Sequence, residues 1–110
     1  LDCWGLARLA WSELFGKQEL PSYSHIDPDD KASLTKYKEV VRDGFSMRET
    51  QPQHGTLATG WRGRRCIHVG AVVEVDGRLW VLETDEPTNA VLTQIKVFEA
   101  RYSKVIYYDN

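Results

Sequence analysis

A chain of 110 residues is long enough for one compact domain with a single core and no more. With 42% hydrophobic and 27% charged residues it has the make-up of a soluble globular protein, which excludes disorder along its whole length. A formal net charge of −2 excludes a general field that recruits nucleic acid, and no apolar run approaches the roughly 20 residues of a membrane helix.

The chain has no signal peptide and no initiating Met. It starts at Leu1, directly on its first motif, so further residues are expected upstream. Asp2 can cap a helix from about Cys3 to Phe15, whose Leu6, Leu9, Ala10 and Leu14 make an apolar face beside Ala7 and Trp11. Gly16 is its stop. Leu20-Pro21-Ser22-Tyr23-Ser24 reads as an extended connector, because a proline biases the preceding residue away from helix. Asp27-Pro28-Asp29-Asp30 starts a second helix with a cap, a first-position proline and acids suited to the dipole. Leu34, Tyr37, Val40 and Val41 supply its stripe, and Asp43-Gly44 ends it. Phe45 to Gln53 holds no clear period, and Gly55 to Thr59 reads as a short strand. Cys66–Val75 and Arg78–Thr84 form a hairpin about the two-residue turn Asp76-Gly77. Asp85 to Asn89 is a loop, and Val91–Phe98 and Ser103–Tyr108 read as two more strands. Helices first and antiparallel strands afterwards predict an α+β fold, with the helices segregated to one side.

The turn also predicts a register. Val75 faces Arg78, Val73 faces Trp80, Val72 faces Val81 and Gly70 faces Glu83. Side chains alternate along a strand, so Cys66, His68, Gly70, Val72 and Glu74 share one face. Glu83 then falls on the His68 face, diagonal to it, and Gly70 leaves space above the sheet there. Asp85 has the same parity and is the alternative partner, and a bulge would undo the count.

Cys3 and His68 carry the chemistry. A thiol at a helix start lies at the positive end of the helix dipole, which favours the reactive thiolate. A histidine on a distant strand can take its proton, and a carboxylate can orient the imidazole. The bland alternatives are a small buried cysteine, a structural histidine and a solvated glutamate. Cys66 could instead be the nucleophile, without the helix dipole to activate it. Cys66 and His68 with His54 or His25 could hold a metal, but the spacing fits no zinc signature. The two cysteines are expected as free thiols, since so few make no disulfide framework. Arg62, Arg64 and Arg65 form a local basic cluster, read as a solvated loop.

Asp2-Cys3-Trp4-Gly5-Leu6 resembles the nucleophile motif of the NlpC-type cell-wall cysteine peptidases, in the Trp form carried by tailed bacteriophages and prophages. Leu20-Pro21-Ser22-Tyr23-Ser24 is similar to the stretch after that family's first helix. His68-Val69-Gly70 resembles its histidine strand, and Lys104-Val105-Ile106-Tyr107-Tyr108 its closing strand. The resemblance covers nearly the whole chain as one domain, residues 1–110. It implies a papain-like α+β fold, N-terminal helices packed on an antiparallel sheet. It also implies hydrolysis of peptide bonds in peptidoglycan stem peptides without metal or cofactor, with Cys3 as nucleophile, His68 as base and Glu83 in the third position. The Cys3 amide region would help hold the oxyanion. Tyr23, Trp4 and Trp61 would line the substrate cleft. The implied setting is a phage tail tip, in the virion or at the host envelope, with other tail-tip proteins as partners. The alternatives are a weakly active or inactive structural subunit of that tip, and a module that binds stem peptide without cutting it. Three features depart from the family pattern: the third position is usually His, sometimes Asn or Gln, rather than Glu, Gly55-Thr56 stands where Gly-Asp is common, and the segment between Trp61 and Arg65 is basic.

Overall fold

The computed structural model describes residues 3–17, 47–85 and 89–109. Helix α1, Cys3–Leu9, runs on into one wide π turn, Ala10–Leu14. Gly16 ends it at φ +63°, and the Lys17 amide closes on the Trp11 carbonyl at 3.1 Å. The strands are β1 (Arg48–Thr50), β2 (Leu57–Arg62), β3 (Arg65–Val75), β4 (Arg78–Asp85), β5 (Asn89–Gln94) and β6 (Lys104–Asp109). A short helix α2, Ile95–Ala100, separates β5 from β6. The strands form one six-stranded antiparallel sheet in the order β1-β6-β2-β3-β4-β5.

The expected papain-like arrangement of N-terminal helices on a sheet is not what is observed. Among the described residues the protein is mostly sheet, with one 12-residue helical segment and one short helix. The two lie on opposite faces. Ala7 and Trp11 pack with Leu57, Val69 and Tyr108, whereas Phe98 packs with Ala58, Val72, Val81 and Tyr107. Neighbours such as Leu57 and Ala58, or Tyr107 and Tyr108, point to opposite sides of a strand, so the clusters are separate layers. Trp11 and Phe98 are both fully buried, each worth about 2–3 kcal/mol of transfer free energy. The second predicted helix, residues 27–43, lies outside the described residues.

Two other expectations fail for local reasons. The segment read as a strand from Val91 to Phe98 turns helical at Ile95. Ile95, Phe98 and Tyr102 recur at helical spacing, and all three pack on the same cluster. Residues near Arg48, which show no period, form β1 because the edge of β6 pairs with them, Glu49 facing Tyr108.

The hairpin register is as counted over Val75↔Arg78, Val73↔Trp80 and Val72↔Val81. Asp76 and Gly77 have φ +53° and +77°, the type I′ geometry that matches strand twist. The β2–β3 ladder contains a bulge. His68 faces Gly60 but Cys66 faces Trp61, which leaves Ile67 as the extra residue. The bulge overturns the predicted shared face of Cys66 and His68. Cys66 turns into the α1-side core with Trp61 and Val69. His68 turns to the α2 side, against Phe98 and Tyr102.

Candidate functional site: a cysteine, a histidine and a shared carboxylate

The site lies at a seam between β3 and β4. Their ladder runs from Val75↔Arg78 to Ala71↔Leu82. Past it, His68 is registered on Gly60 of β2, while Glu83 is registered on Val91 of β5. His68 and Glu83 therefore reach toward each other from the two sides of the seam. His68 Nε2 and Glu83 Oε1 are 2.8 Å apart. The Cys3 side chain, at the start of α1, also hydrogen-bonds His68. Three residues from α1, β3 and β4, 65 and 15 positions apart, thus form one chain of contacts.

Gly70 allows the strands to close here, but not by leaving open space. A Cβ on Gly70 would stand 2.5 Å from Val81 Cγ1 and 3.0 Å from the Leu82 carbonyl oxygen. The expected gap is filled by Val81.

Glu83 is 2% exposed and is shared by more than the histidine. Its second oxygen, Oε2, accepts a hydrogen bond from Arg101 Nη2. The Thr93 side chain of β5 also hydrogen-bonds the carboxylate. Burial pushes the Glu83 carboxyl up, but the bonds from His68, Thr93 and Arg101, with the Arg101 charge, outweigh it and hold it below its ordinary range. Burial likewise pulls His68 down. The Cys3 and Glu83 hydrogen bonds and their charges prevail, and the imidazole is pushed up from 6.5 to about 9. At neutral pH the site holds an imidazolium between sulfur and carboxylate.

Aromatic rings fix the imidazole plane. Tyr102 lies nearly parallel to it, with centroids 6.4 Å apart and planes 19° apart, and Phe98 lies 6.1 Å away. Tyr102 needs the space over Gly60, where an added Cβ would come within 2.7 Å of its ring. Burial, the first cause, raises the Tyr102 hydroxyl pKa.

The remaining predicted residues fall elsewhere. Trp61 is 9% exposed, packs in the α1-side core and donates its indole N–H to Thr59 Oγ1 at 2.9 Å. It is a core residue, on the same face as Leu57 and Thr59 by the ordinary alternation of β2. Trp4 is half-buried against the same cluster. Tyr23 and Asp2 lie outside the described residues. Asp85 ends β4 opposite Asn89, while Glu83 takes the histidine. Both cysteines are free thiols. Cys66 is buried and donates to the His68 carbonyl at 3.6 Å across the bulge. Cys66 and His68 thus face opposite ways, and His54 accepts the Glu74 amide at 3.0 Å. No metal-binding cluster of three such side chains occurs among the described residues.

Phe98, Arg101 and Tyr102 are the members of the site that the sequence reading missed. They arrive through α2, which begins within the run Val91–Phe98 that the sequence predicts as strand. The signal was the Ile95, Phe98, Tyr102 spacing. No protein-family model, curated protein or solved structure matches this chain.

Proposed function

We propose that the protein is a cysteine hydrolase of peptide bonds whose substrates are peptidoglycan stem peptides, working as a phage tail-tip component during cell-wall penetration. The observation that carries the reading is the contact chain Cys3–His68–Glu83, with the imidazole bonded on one side to a thiol and on the other to a buried carboxylate. The substrate class and the phage setting rest on the resemblance of Asp2-Cys3-Trp4-Gly5-Leu6 and His68-Val69-Gly70 to the cell-wall peptidase motifs.

In this mechanism the thiolate of Cys3 attacks the scissile carbonyl, and the imidazolium of His68 gives its proton to the leaving amine. A thioester and a neutral imidazole result. The imidazole then takes a proton from water as that water attacks the thioester, which releases the acid and restores the thiolate–imidazolium pair. Glu83 holds the ring in place and supports its positive charge, the third-group role.

The test is mass spectrometry of purified peptidoglycan digested with wild-type and Cys3→Ala protein. New termini within stem peptides are expected with wild type alone. Intact stem peptides after wild-type digestion, with Cys3 shown to be reactive, would sink the peptidoglycan assignment. Equal cleavage by Cys3→Ala would sink Cys3 as nucleophile.

A further inference from the structure

Arg101 is not part of the Cys–His–carboxylate chain, yet its placement is tightly specified. Its backbone N–H bonds the Phe98 carbonyl at 3.2 Å, and its own carbonyl accepts from Arg62 Nη2 at 3.2 Å. Two residues on, Ser103 ties the chain to Trp61, with its amide 2.9 Å and its hydroxyl 2.8 Å from the Trp61 carbonyl oxygen. The guanidinium lies over the rings of Phe98 and Tyr102, 5.2 and 5.6 Å from their centroids, and meets Glu83 Oε2. The side chain is 45% exposed, and the two rings and the carboxylate orient its guanidinium toward the site.

The arrangement solves a specific problem. Glu83 is almost wholly buried. When His68 is protonated the carboxylate has a cationic partner. When His68 has given up its proton, a buried carboxylate with no other partner would be an uncompensated charge, which is strongly disfavoured. Such a carboxylate would hold the proton on the imidazole. We propose that Arg101 is a positioning residue that keeps Glu83 ionised and compensated throughout the cycle, so that His68 can release its proton to the leaving group. The claim concerns the protonation of His68. Its kinetic consequence rests on the cysteine-hydrolase reading above, but its direct test does not.

The charged and titratable groups around His68 come from every neighbouring element. They are Cys3 from α1, Glu83 from β4, and Arg101 and Tyr102 after α2. Arg62 of β2 adds positive charge next to Tyr102. Glu83 and Cys3 favour the imidazolium, and Arg101 acts on it through the carboxylate it shares with the ring. Removing the Arg101 charge therefore shifts the balance toward a more strongly held proton.

The experiment is a titration of the His68 Cε1–H resonance by NMR in wild type, Arg101→Gln and Arg101→Lys. Arg101→Gln removes the charge and keeps a polar side chain. The midpoint is expected to rise by about 1 pH unit or more in Arg101→Gln, and to return to within about 0.5 of wild type in Arg101→Lys. With substrate, the alkaline limb of the kcat profile should move the same way. kcat should fall about 10- to 100-fold at pH 7, with little change in KM. A midpoint unchanged or lowered in folded Arg101→Gln overturns the proposal. If Arg101→Gln does not fold, Arg101→Met removes the charge instead: a midpoint raised by about 1 pH unit or more in folded Arg101→Met upholds the proposal, and one unchanged or lowered overturns it. An unshifted His68 alongside normal stem-peptide cleavage removes Arg101 alone. A shifted His68 alongside intact peptidoglycan leaves Arg101 in place and removes the substrate assignment.

Discussion

Glu83→Gln removes one negative charge from the site while keeping the side-chain shape. The carboxylate oxygen sits 2.8 Å from His68 Nε2, and the group is 2% exposed, so solvent screens it little. Two unit charges about 4 Å apart interact by about 4 kcal/mol at an effective dielectric constant near 20. Part of that is offset already, because Arg101 shares the carboxylate. A fall of about 1–3 pH units in the His68 midpoint is therefore expected, starting from about 9. Cys3 remains and keeps the midpoint from falling further. The assay is the His68 Cε1–H titration, with far-UV circular dichroism to establish that the variant is folded. Turnover should drop by about 10- to 1,000-fold, less than on loss of the nucleophile. A midpoint that stays at the wild-type value in folded Glu83→Gln would refute the electrostatic reasoning, whatever happens to turnover.

Stability should depend on pH in a stated direction. His68 has a raised folded pKa, so its contribution is full below pH 6.5 and disappears as pH rises through about 9. That difference corresponds to about 3 kcal/mol, shared with Cys3 and Glu83, and is read by urea melts between pH 6 and 10. Glu83 has a lowered folded pKa, so its contribution is present above 4.5 and is lost as pH falls below it. A urea midpoint that rises from pH 6 to 9 would contradict the His68 sign. Iodoacetamide should label Cys3 at least about 100-fold faster than Cys66, which is fully buried, and peptide mapping at pH 7 reads the ratio. Gly60→Ala should cost about 1–3 kcal/mol and slow turnover by tilting Tyr102 off His68, and Tyr102→Leu in the same chain should relieve the strain. Trp61→Phe should cost about 1 kcal/mol in thermal melts through the lost bond to Thr59, with KM unmoved, since the ring is in the core.

The contact between His68 and Glu83 was legible from local rules. An Asp-Gly turn sets the register of a two-residue hairpin, and side chains then alternate. Counting from Asp76-Gly77 puts Glu83 within reach of His68 with no tertiary information. The same count failed one strand away. Cys66 was placed on the His68 face, and the bulge at Ile67 put it on the other. A bulge depends on how β3 must bend to pair with β2, and nothing within β3 announces it. Trp61 shares the face of Leu57 by alternation along β2, and only the packing of α1 decides that this face is core at Trp61.

The sequence alone determined the hairpin, the first helix with its Gly16 stop, and the pairing of an imidazole with a carboxylate, because turn chemistry, helical period and strand alternation act over a few residues. Only the tertiary structure decided that the described residues are mostly sheet, that their two helical segments cover opposite faces, and that Arg101, Phe98 and Tyr102 complete the site. Ile95–Ala100 is apolar enough for either strand or helix. The helix wins where Phe98 can bury itself against Val72, Val81 and Tyr107, residues distant in the chain. That burial carries Arg101 to Glu83, so the second cation of the site is a consequence of packing and has no motif of its own.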